Sequence, residues 1–391
     1  MSEWPHVALG DVLHRVRRSV ILEDGRAYPA VSVRKDGQGL GPKEPFIGGV
    51  SKYQALQVVH DGDIVLRTIT AFESPAGVAL PEHDGSHVSG VFHTYEHTPE
   101  VDGNWLRLFF QTPTFWRQME AKATGTVLRR KTISSESFLS IAMPQPPLDV
   151  QRRVVDLVGA IDANIEHLDQ IVGTTGQVCE ALLASLIVSA PGRPTTLGEL
   201  AEWFSGGTPR ATDRSFYEGG TIPWAVIADV QNGPISTTSA HINEKGMAEI
   251  GRVAPVGASL VTMYGTIGRV AYVKTAMATN QAIAWGVSAG ELLPKYLYYV
   301  LRSMSAQLDA LGRGATQRNI NRQIVRSQGV ASPTLQYQEA AIDALDDAFA
   351  TVVAATAERD ALRKARAALL PALLSGCLEV PVSYDELIGV P

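Results

Sequence analysis

The chain has 391 residues, 45% hydrophobic and 19% charged, with 35 Gly and 22 Pro, which excludes disordered, collagen-like and low-complexity classes and allows two to four domains. Its formal net charge of −6, from 34 Lys+Arg against 40 Asp+Glu, excludes a nucleic-acid binder advertised by bulk charge, so positive charge for such a role must be local. Uninterrupted apolar runs fall short of the ~18 residues a membrane span needs, the start Met1-Ser2-Glu3 is polar, and Cys179 and Cys377 cannot make a disulfide framework; the expectation is a cytoplasmic protein with no membrane partner.

Residues 1–145 mix short apolar runs with Gly, Pro, Asn and Asp punctuation, the pattern of strands, turns and a few short helices. Within them Asp63-Ile64-Val65-Leu66 reads as a strand after a Gly turn, Val88 to Tyr95 alternates like a strand, and Asn104 to Lys122 reads as a helix. Residues 148–188 are different, with an apolar stripe at Val154, Val158, Ile161, Ile165, Leu168, Val172, Thr175, Cys179, Leu182 and Leu186, spaced 4, 3, 4, 3 throughout. Eight of these ten are aliphatic, so a 3.5-residue period over more than four heptads predicts a coiled-coil seam on a helix roughly 50 Å long. Residues 195–332 return to the mixed pattern, with Ala258-Ser259-Leu260-Val261 as a strand and Pro294 to Leu311 as a helix. Residues 335–374 carry a second seam at Ala341, Leu345, Ala348, Val352, Ala355, Arg359, Leu362, Arg366, Leu369 and Leu373, whose two arginines weaken its centre.

These stretches form one unit written twice. Pro146-Pro147-Leu148-Asp149-Val150-Gln151 returns as Pro333-Thr334-Leu335-Gln336-Tyr337-Gln338 at an offset of 333 − 146 = 187, which Leu182-Leu183 and Leu369-Leu370 keep. Leu9-Gly10-Asp11 meets Leu197-Gly198-Glu199 at 188, Tyr28-Pro29 meets Ile222-Pro223 at 194, Gly62 meets Gly257 at 195, Trp105-Leu106 meets Tyr296-Leu297 at 191 and Gly125 meets Gly314 at 189. An offset that wanders only mid-unit points to small insertions in surface loops over a fixed helical frame. The fold expected is α+β: two mixed α/β globular domains in tandem, joined by two long helices forming an antiparallel coiled coil. Its boundaries fall at 1–147, 148–190, 191–332, 333–379 and a tail at 380–391. The competing arrangement is two amphipathic helices, each folded onto its own domain.

Catalytic signatures are missing. There is no G-x-x-x-x-G-K-[ST] loop, no G-x-G-x-x-G opening a helix and no G-x-S-x-G elbow. The Pro146-Pro147 pair lacks the preceding Asn or Asp and following aromatic with which amino-methyltransferases hold a flipped base. His83, His87, His93 and His97 lie within fifteen residues, and His93-Thr94-Tyr95-Glu96-His97 matches H-x-x-E-H, so a metal-dependent hydrolase is the alternative function. That motif works on a helix; on the strand expected here His93 and His97 stand ~13 Å apart, too far to share a metal.

Local basicity beside glycine is the stronger signal. Thr124-Gly125-Thr126 leads to Arg129, Arg130 and Lys131, and Arg313-Gly314-Ala315 leads to Thr316, Gln317, Arg318, Asn319 and Arg322. Cations with hydroxyls and amides suit phosphate contacts, and recurrence in both units favours that over an idle solvated face. Tyr264, Thr266, Arg269, Asn280 and Gln281 are candidate base readers, since Asn and Gln pair with adenine edges and Arg with guanine; turn residues and strand ends are the competing reading.

Taken together, Leu197-Gly198-Glu199, Ser205-Gly206-Gly207-Thr208-Pro209, Ile222-Pro223-Trp224, Gly265-Thr266-Ile267-Gly268, Thr279-Asn280-Gln281, Gly314-Ala315-Thr316-Gln317, Pro333-Thr334-Leu335 with Gln338, and Leu369-Leu370 to Ser375-Gly376 arrive in an order that resembles the specificity subunit of type I restriction-modification systems. The first unit matches mainly at Pro146-Pro147-Leu148, Gln151 and its long helix, and lacks the Gly-Gly-Thr-Pro and Thr-Asn-Gln segments. The resemblance implies two target-recognition domains, each reading half of a bipartite site in double-stranded DNA, with the helices as a ruler for the unread spacer. It implies a non-catalytic chain without a cofactor of its own, onto which two modification subunits dock to bind S-adenosylmethionine and methylate adenine N6. Where a restriction subunit joins, it brings ATP and magnesium.

Overall fold

The computed structural model describes residues 4–127, 131–314 and 318–384. Its contacts divide the chain into two units, Met1–Leu168 with Glu358–Pro391, and Asp169–Ala357, so each unit holds one globular half and a segment of both long helices.

The two halves share a frame. In the first unit His6–Ala8 pairs antiparallel with Ala142–Pro144, and Leu9–Val12 makes one helical turn. Leu13–Val16 then edges an antiparallel sheet continued by Phe92–His97, Ile64–Arg67 and Ala76–Val78. In the second unit Arg193–Thr196 pairs with Gly329–Ser332, Leu197–Leu200 makes the turn, and the sheet runs Ala201–Ser205, Ile283–Ser288, Ser259–Thr262 and Val270–Val273, with Gly233–Ile235 added parallel at its edge. The strands expected at 63–66 and 258–261 fall within these sheets, shifted by one residue, whereas the one expected at 88–95 is broken: Val88 ends a strand of a different sheet and Phe92 opens this one.

Both faces of each sheet are buried, and the period-2 alternation of a strand divides their residues between two cores. Ile64, Leu66 and Tyr95 pack with Trp105, Phe109 and Phe115, whereas Val65 and Phe92 pack with Val33, Val59 and Val88. Likewise Val261 and Ala284 pack with Tyr296, Leu297 and Val300, whereas Leu260, Ile283 and Trp285 form a separate cluster with Ala225 and Val273.

The helices over the first face are not single, as the sequence suggests. Residues 104–122 split into Gly103–Phe110 and Pro113–Lys122, because Pro113 has no N–H to donate and the Thr112 hydroxyl caps Phe115 N at 3.2 Å. Residues 294–311 split into Pro294–Ser303 and Ser305–Ala310 around Met304.

Divergence between the halves is larger than loop insertions. The first unit carries a five-stranded outer sheet, ordered Ser19–Ile21, Ala55–Val59, Ser86–Val88, Ala27–Val33, Leu40–Ile47; the second carries Ala240–Ile242, Ile222–Ala225, Ala278–Thr279 and the helix Glu244–Ile250. One pairing survives, the parallel contact Ala30↔His87 matched by Trp224↔Ala278. The wandering offset therefore marks a replaced sheet, not small loop insertions.

The central helix spans Leu148–Leu183 and widens to a π turn over Ala184–Val188; the C-terminal helix spans Leu335–Ser375. Val154, Val158, Leu168 and Cys179 are buried as the heptads predict, but Leu183 and Ile187 are buried more fully than Leu182 and Leu186. A π turn holds more residues than an α turn, so the seam slips one position there. In the first unit Val154 and Val158 pack with Leu370, Leu373 and Leu374, and Asp162 meets Arg366, so the two segments run antiparallel. In the second, Leu183 and Ile187 join Ala341 and Leu345, and Tyr337 Oη donates to Leu186 O at 3.0 Å. Arg366 sits in the seam because the Asp162 carboxylate accepts from its Nε and Nη2 and Gln111 Oε1 accepts a third bond, from Nη2, at 2.8 Å.

Leu148–Val188 is long and apolar enough to cross a membrane by length and composition alone, with a mean hydropathy of 1.6 over its best stretch. Counting uninterrupted runs misses this, because its apolar residues are spread by Gly, Ala and polar positions rather than contiguous.

Candidate nucleic-acid interface

Each unit anchors its long helix with one buried glutamine. Gln151, 0% exposed, accepts from Asp102 N at 2.9 Å and donates to Pro146 O at 2.8 Å and Glu100 O at 3.3 Å. Gln338, 1% exposed, accepts from Leu293 N at 2.9 Å and donates to Pro333 O at 3.0 Å and Glu291 O at 3.1 Å. The partners correspond one for one, so the recurring Pro-x-Leu-x-x-Gln pattern is a clamp between the start of the long helix and the loop entering Gly103–Phe110 or Pro294–Ser303. The sequence flags these glutamines without revealing that role.

The basic glycine loops are also equivalent. Thr124 and Thr132 exchange both backbone bonds at 2.8 Å, as Arg313 and Asn319 do at 3.0 and 2.9 Å. Thr132 also bridges Ile69, and Asn319 bridges Tyr264. Gly125 at φ 127° and Gly314 at φ 124° take the same conformation, open to glycine alone. Ile133 N then donates to Thr68 O, and Ile320 N to Met263 O, both at 2.9 Å. Each loop is thus stitched to the end of its sheet. Arg129, Arg130, Thr316 and Gln317 lie outside the described residues; Lys131 is partly buried, and its carbonyl accepts from Ala71 N at 3.0 Å.

In the second unit the sheet end gathers a surface. Tyr264, Gln281 and Arg322 border a cavity of about 520 Å³ with Ser205, Gln323 and Arg326. No carboxylate borders it among the described residues, so Arg322 and Arg326, both exposed, present positive charge unopposed at its rim. Arg326 is a residue the sequence reading passed over, although its i, i+4 spacing from Arg322 on a helix puts both cations on one face.

The remaining candidates are placed elsewhere. Thr266 is exposed in the Gly265–Gly268 turn, and its carbonyl accepts from the Thr262 hydroxyl. Arg269 reaches Gln231 Oε1 at 3.5 Å. Arg318 pairs with Asp309 at 3.3 Å and donates to the Asp309 carbonyl, closing the end of Ser305–Ala310. Asn280 accepts from Ala282 N at 3.1 Å through its side chain and donates its own N–H to Ala225 O at 2.9 Å, a turn-forming role.

Three motif segments converge there. Gly207 N donates to Thr279 O at 2.9 Å, and Trp224 Nε1 donates to Gly207 O at 3.1 Å. A Cβ on Gly206 would lie 2.1 Å from Thr279 O and 2.4 Å from Asn280 O, so glycine is what lets that backbone pass. These motifs lock the outer sheet to the central one and fix the turn that carries Gln281.

The histidines of the first unit are engaged separately. His83 is buried and its Nδ1 accepts from Leu80 N at 3.0 Å; His87 donates to Pro29 O at 3.1 Å; His97 donates to Thr98 O at 3.0 Å. Burial, helped by Arg15 and Arg17, pushes His93 down to about 4. Among the described residues no group of three or more His, Cys, Asp or Glu is placed to hold a metal ion, and nothing in this geometry favours the hydrolase.

Residues 193–362 match the family model of the type I restriction modification DNA specificity domain, and the first unit repeats that domain's terminal strand pair, helical turn and four central strands. The fold is therefore two units on one frame, the second of which is a DNA specificity domain. The type I restriction enzyme MjaIX specificity subunit of Methanocaldococcus jannaschii is 30% identical over 149 residues, 37% of this chain and 34% of that one, so the match spans about a third of the relative's length. The HindI specificity subunit of Haemophilus influenzae is 22% identical across 96% of this chain and 100% of its own. The solved type I system S subunit from M. genitalium shares the fold, with a TM-score of 0.63 at 13% identity over 95% of this chain and 96% of that one. Residues 193–362 thus form a type I DNA specificity domain, and the chain is similar over nearly its whole length to a type I specificity subunit.

Proposed function

We propose that this chain is the DNA-reading subunit of a type I restriction-modification complex, each unit applying the end of its central sheet to one half of a bipartite site. The observation that carries this is duplication with divergence: the same glutamine clamp and the same glycine loop occur in both units, beside different outer sheets. A frame kept twice under two different surfaces is what reading two different half-sites requires, because base-edge contacts depend on side chains while backbone positioning does not. The two long helices set the number of unread base pairs. The chain performs no chemistry and binds no cofactor. Two modification subunits dock on it, bind S-adenosylmethionine and methylate adenine N6; where a restriction subunit joins, ATP and magnesium come with it, and the assembly works in the cytoplasm.

The test is a genome-wide adenine-methylation map of the source organism with and without the gene. Loss of one gapped motif on deletion is expected. An identical map, in cells where the chain is expressed with an active methyltransferase partner, refutes the proposal.

A further inference from the structure

The repeated frame allows the two sheet ends to be compared position by position. With the offset of 188 that relates Leu9 to Leu197, Arg15 stands where Trp203 does and Arg17 where Ser205 does. The short helices Ser135–Leu139 and Arg322–Arg326 are related by 187, so Ser135 and Leu139 replace Arg322 and Arg326. The first unit has lost both cations from its helix and carries Arg15 on the adjoining strand and Arg17 just past its end.

Strand alternation puts Arg15 and Val16 on opposite faces, and Arg17 and Arg18 follow just past the strand's end. Arg18 is consumed by Asp63 at 2.7 Å and by Glu96. Arg15 and Arg17 are exposed and border a cavity of about 160 Å³ with Gln57, Gly90, His93 and Thr94. No carboxylate borders that cavity among the described residues. Tyr95, on the same strand face as His93, is tied to Ser135 by a 2.7 Å hydroxyl–hydroxyl bond, so this face adjoins the helix just as the Arg322 face does. Burial favours the neutral form of His93, and its Nδ1 is buried with no hydrogen-bond partner among the described residues.

We propose that Arg15 and Arg17 contact the DNA phosphates for the first unit and that His93 reads a base edge beside them. The proposal rests on the DNA-reading function above. Positive charge recurs at the same place on the frame although different elements supply it, which a solvated arginine pair of no consequence does not explain. Arginines suit phosphate oxygens, and with Nδ1 buried the imidazole has its Nε2 left to offer to a base edge.

The experiment uses the full chain with its co-purifying subunits and a duplex carrying the gapped motif lost from the methylation map. The Arg15→Ala/Arg17→Ala double variant is expected to bind at least tenfold more weakly. Its log–log salt dependence is expected to flatten by about 1.8, from two phosphates at about 0.9 each. Arg322→Ala/Arg326→Ala serves as the second-unit counterpart, and Arg15→Lys/Arg17→Lys, expected to keep the salt slope, separates charge loss from misfolding. If only the Arg322/Arg326 variant loses affinity, the first-unit assignment is wrong while the reading function stands; if both keep native affinity, the reading function falls and takes this assignment with it. His93→Gln is expected to shrink the penalty for a mismatch in the first half-site alone, and an unchanged penalty overturns its part.

Discussion

Replacing Gln338 with Leu tests the clamp that makes the two units one frame. Leucine nearly fills the volume but leaves Leu293 N–H and the carbonyls of Glu291 and Pro333 without their partner. Three bonds at about 1 kcal/mol each give ~3 kcal/mol, and buried groups left unsatisfied raise the cost toward ~5 kcal/mol. The second unit spans 357 − 168 = 189 residues, a size at which each kcal/mol lowers Tm by about 2–4 °C. Scanning calorimetry of the full chain should therefore show the second unit's transition falling by roughly 10 °C. Gln151→Leu should do the same to the first unit, since its bonds go to the equivalent groups. Gln338→Glu keeps the acceptor for Leu293 but sets a buried carboxyl group against the carbonyls of Glu291 and Pro333, so it should cost at least as much as Gln338→Leu. A fall below about 2 °C for Gln338→Leu would mean that water or backbone rearrangement satisfies these groups, and the clamp would be incidental.

Gly206→Ala forces a Cβ against Thr279 and Asn280; overpacking of that kind costs about 1–3 kcal/mol. Because the Gln281 turn must move, binding to duplexes altered in the second half-site should lose discrimination while the first half-site is read normally. Arg366→Ala leaves Asp162 and Gln111 unpaired, but the carboxylate is 40% exposed, so the expected loss is only about 1 kcal/mol, smaller still at high salt, by urea unfolding. Arg366→Leu should lose less, since an apolar side chain suits a seam position. His93 titrates lower in the fold than in the unfolded chain, so the unfolded state binds more protons between about pH 6.5 and 4. Stability from this group is complete above that window and is lost as pH falls through it, on the order of 1 kcal/mol after discounting for its partial exposure. The pH dependence of Tm for His93→Gln should be flatter there; an identical slope would show that the imidazole is solvated.

The frame was legible in the sequence wherever backbone groups need a particular side chain. Gln151 and Gln338 recur because three main-chain groups depend on each, and Gly125 and Gly314 recur because no other residue takes their φ. The heptads were legible because a seam is periodic, even at Arg366, whose burial depends on Asp162, a partner 204 positions away. What defeated the sequence was structure set by tertiary context. The π turn at Ala184–Val188 and the breaks at Thr112 and Met304 leave apolar content almost unchanged while altering geometry.

The candidate site was half legible for the same reason. Motifs such as Gly206-Gly207 and Asn280 are recognisable because they hold the scaffold together, and their side chains or backbones are spent on that task. Residues free to face DNA are under no such constraint. Arg322 and Arg326 occupy a helix, whereas Arg15 and Arg17 lie on and just past the end of a strand, so no spacing rule connects them and no comparison of the two halves as strings would pair them. Only the shared hydrogen-bonding register shows that they stand at the same end of the same sheet. A protein that reads two unrelated half-sites must be repetitive where it is built and irregular where it reads, and its sequence therefore announces the first more clearly than the second.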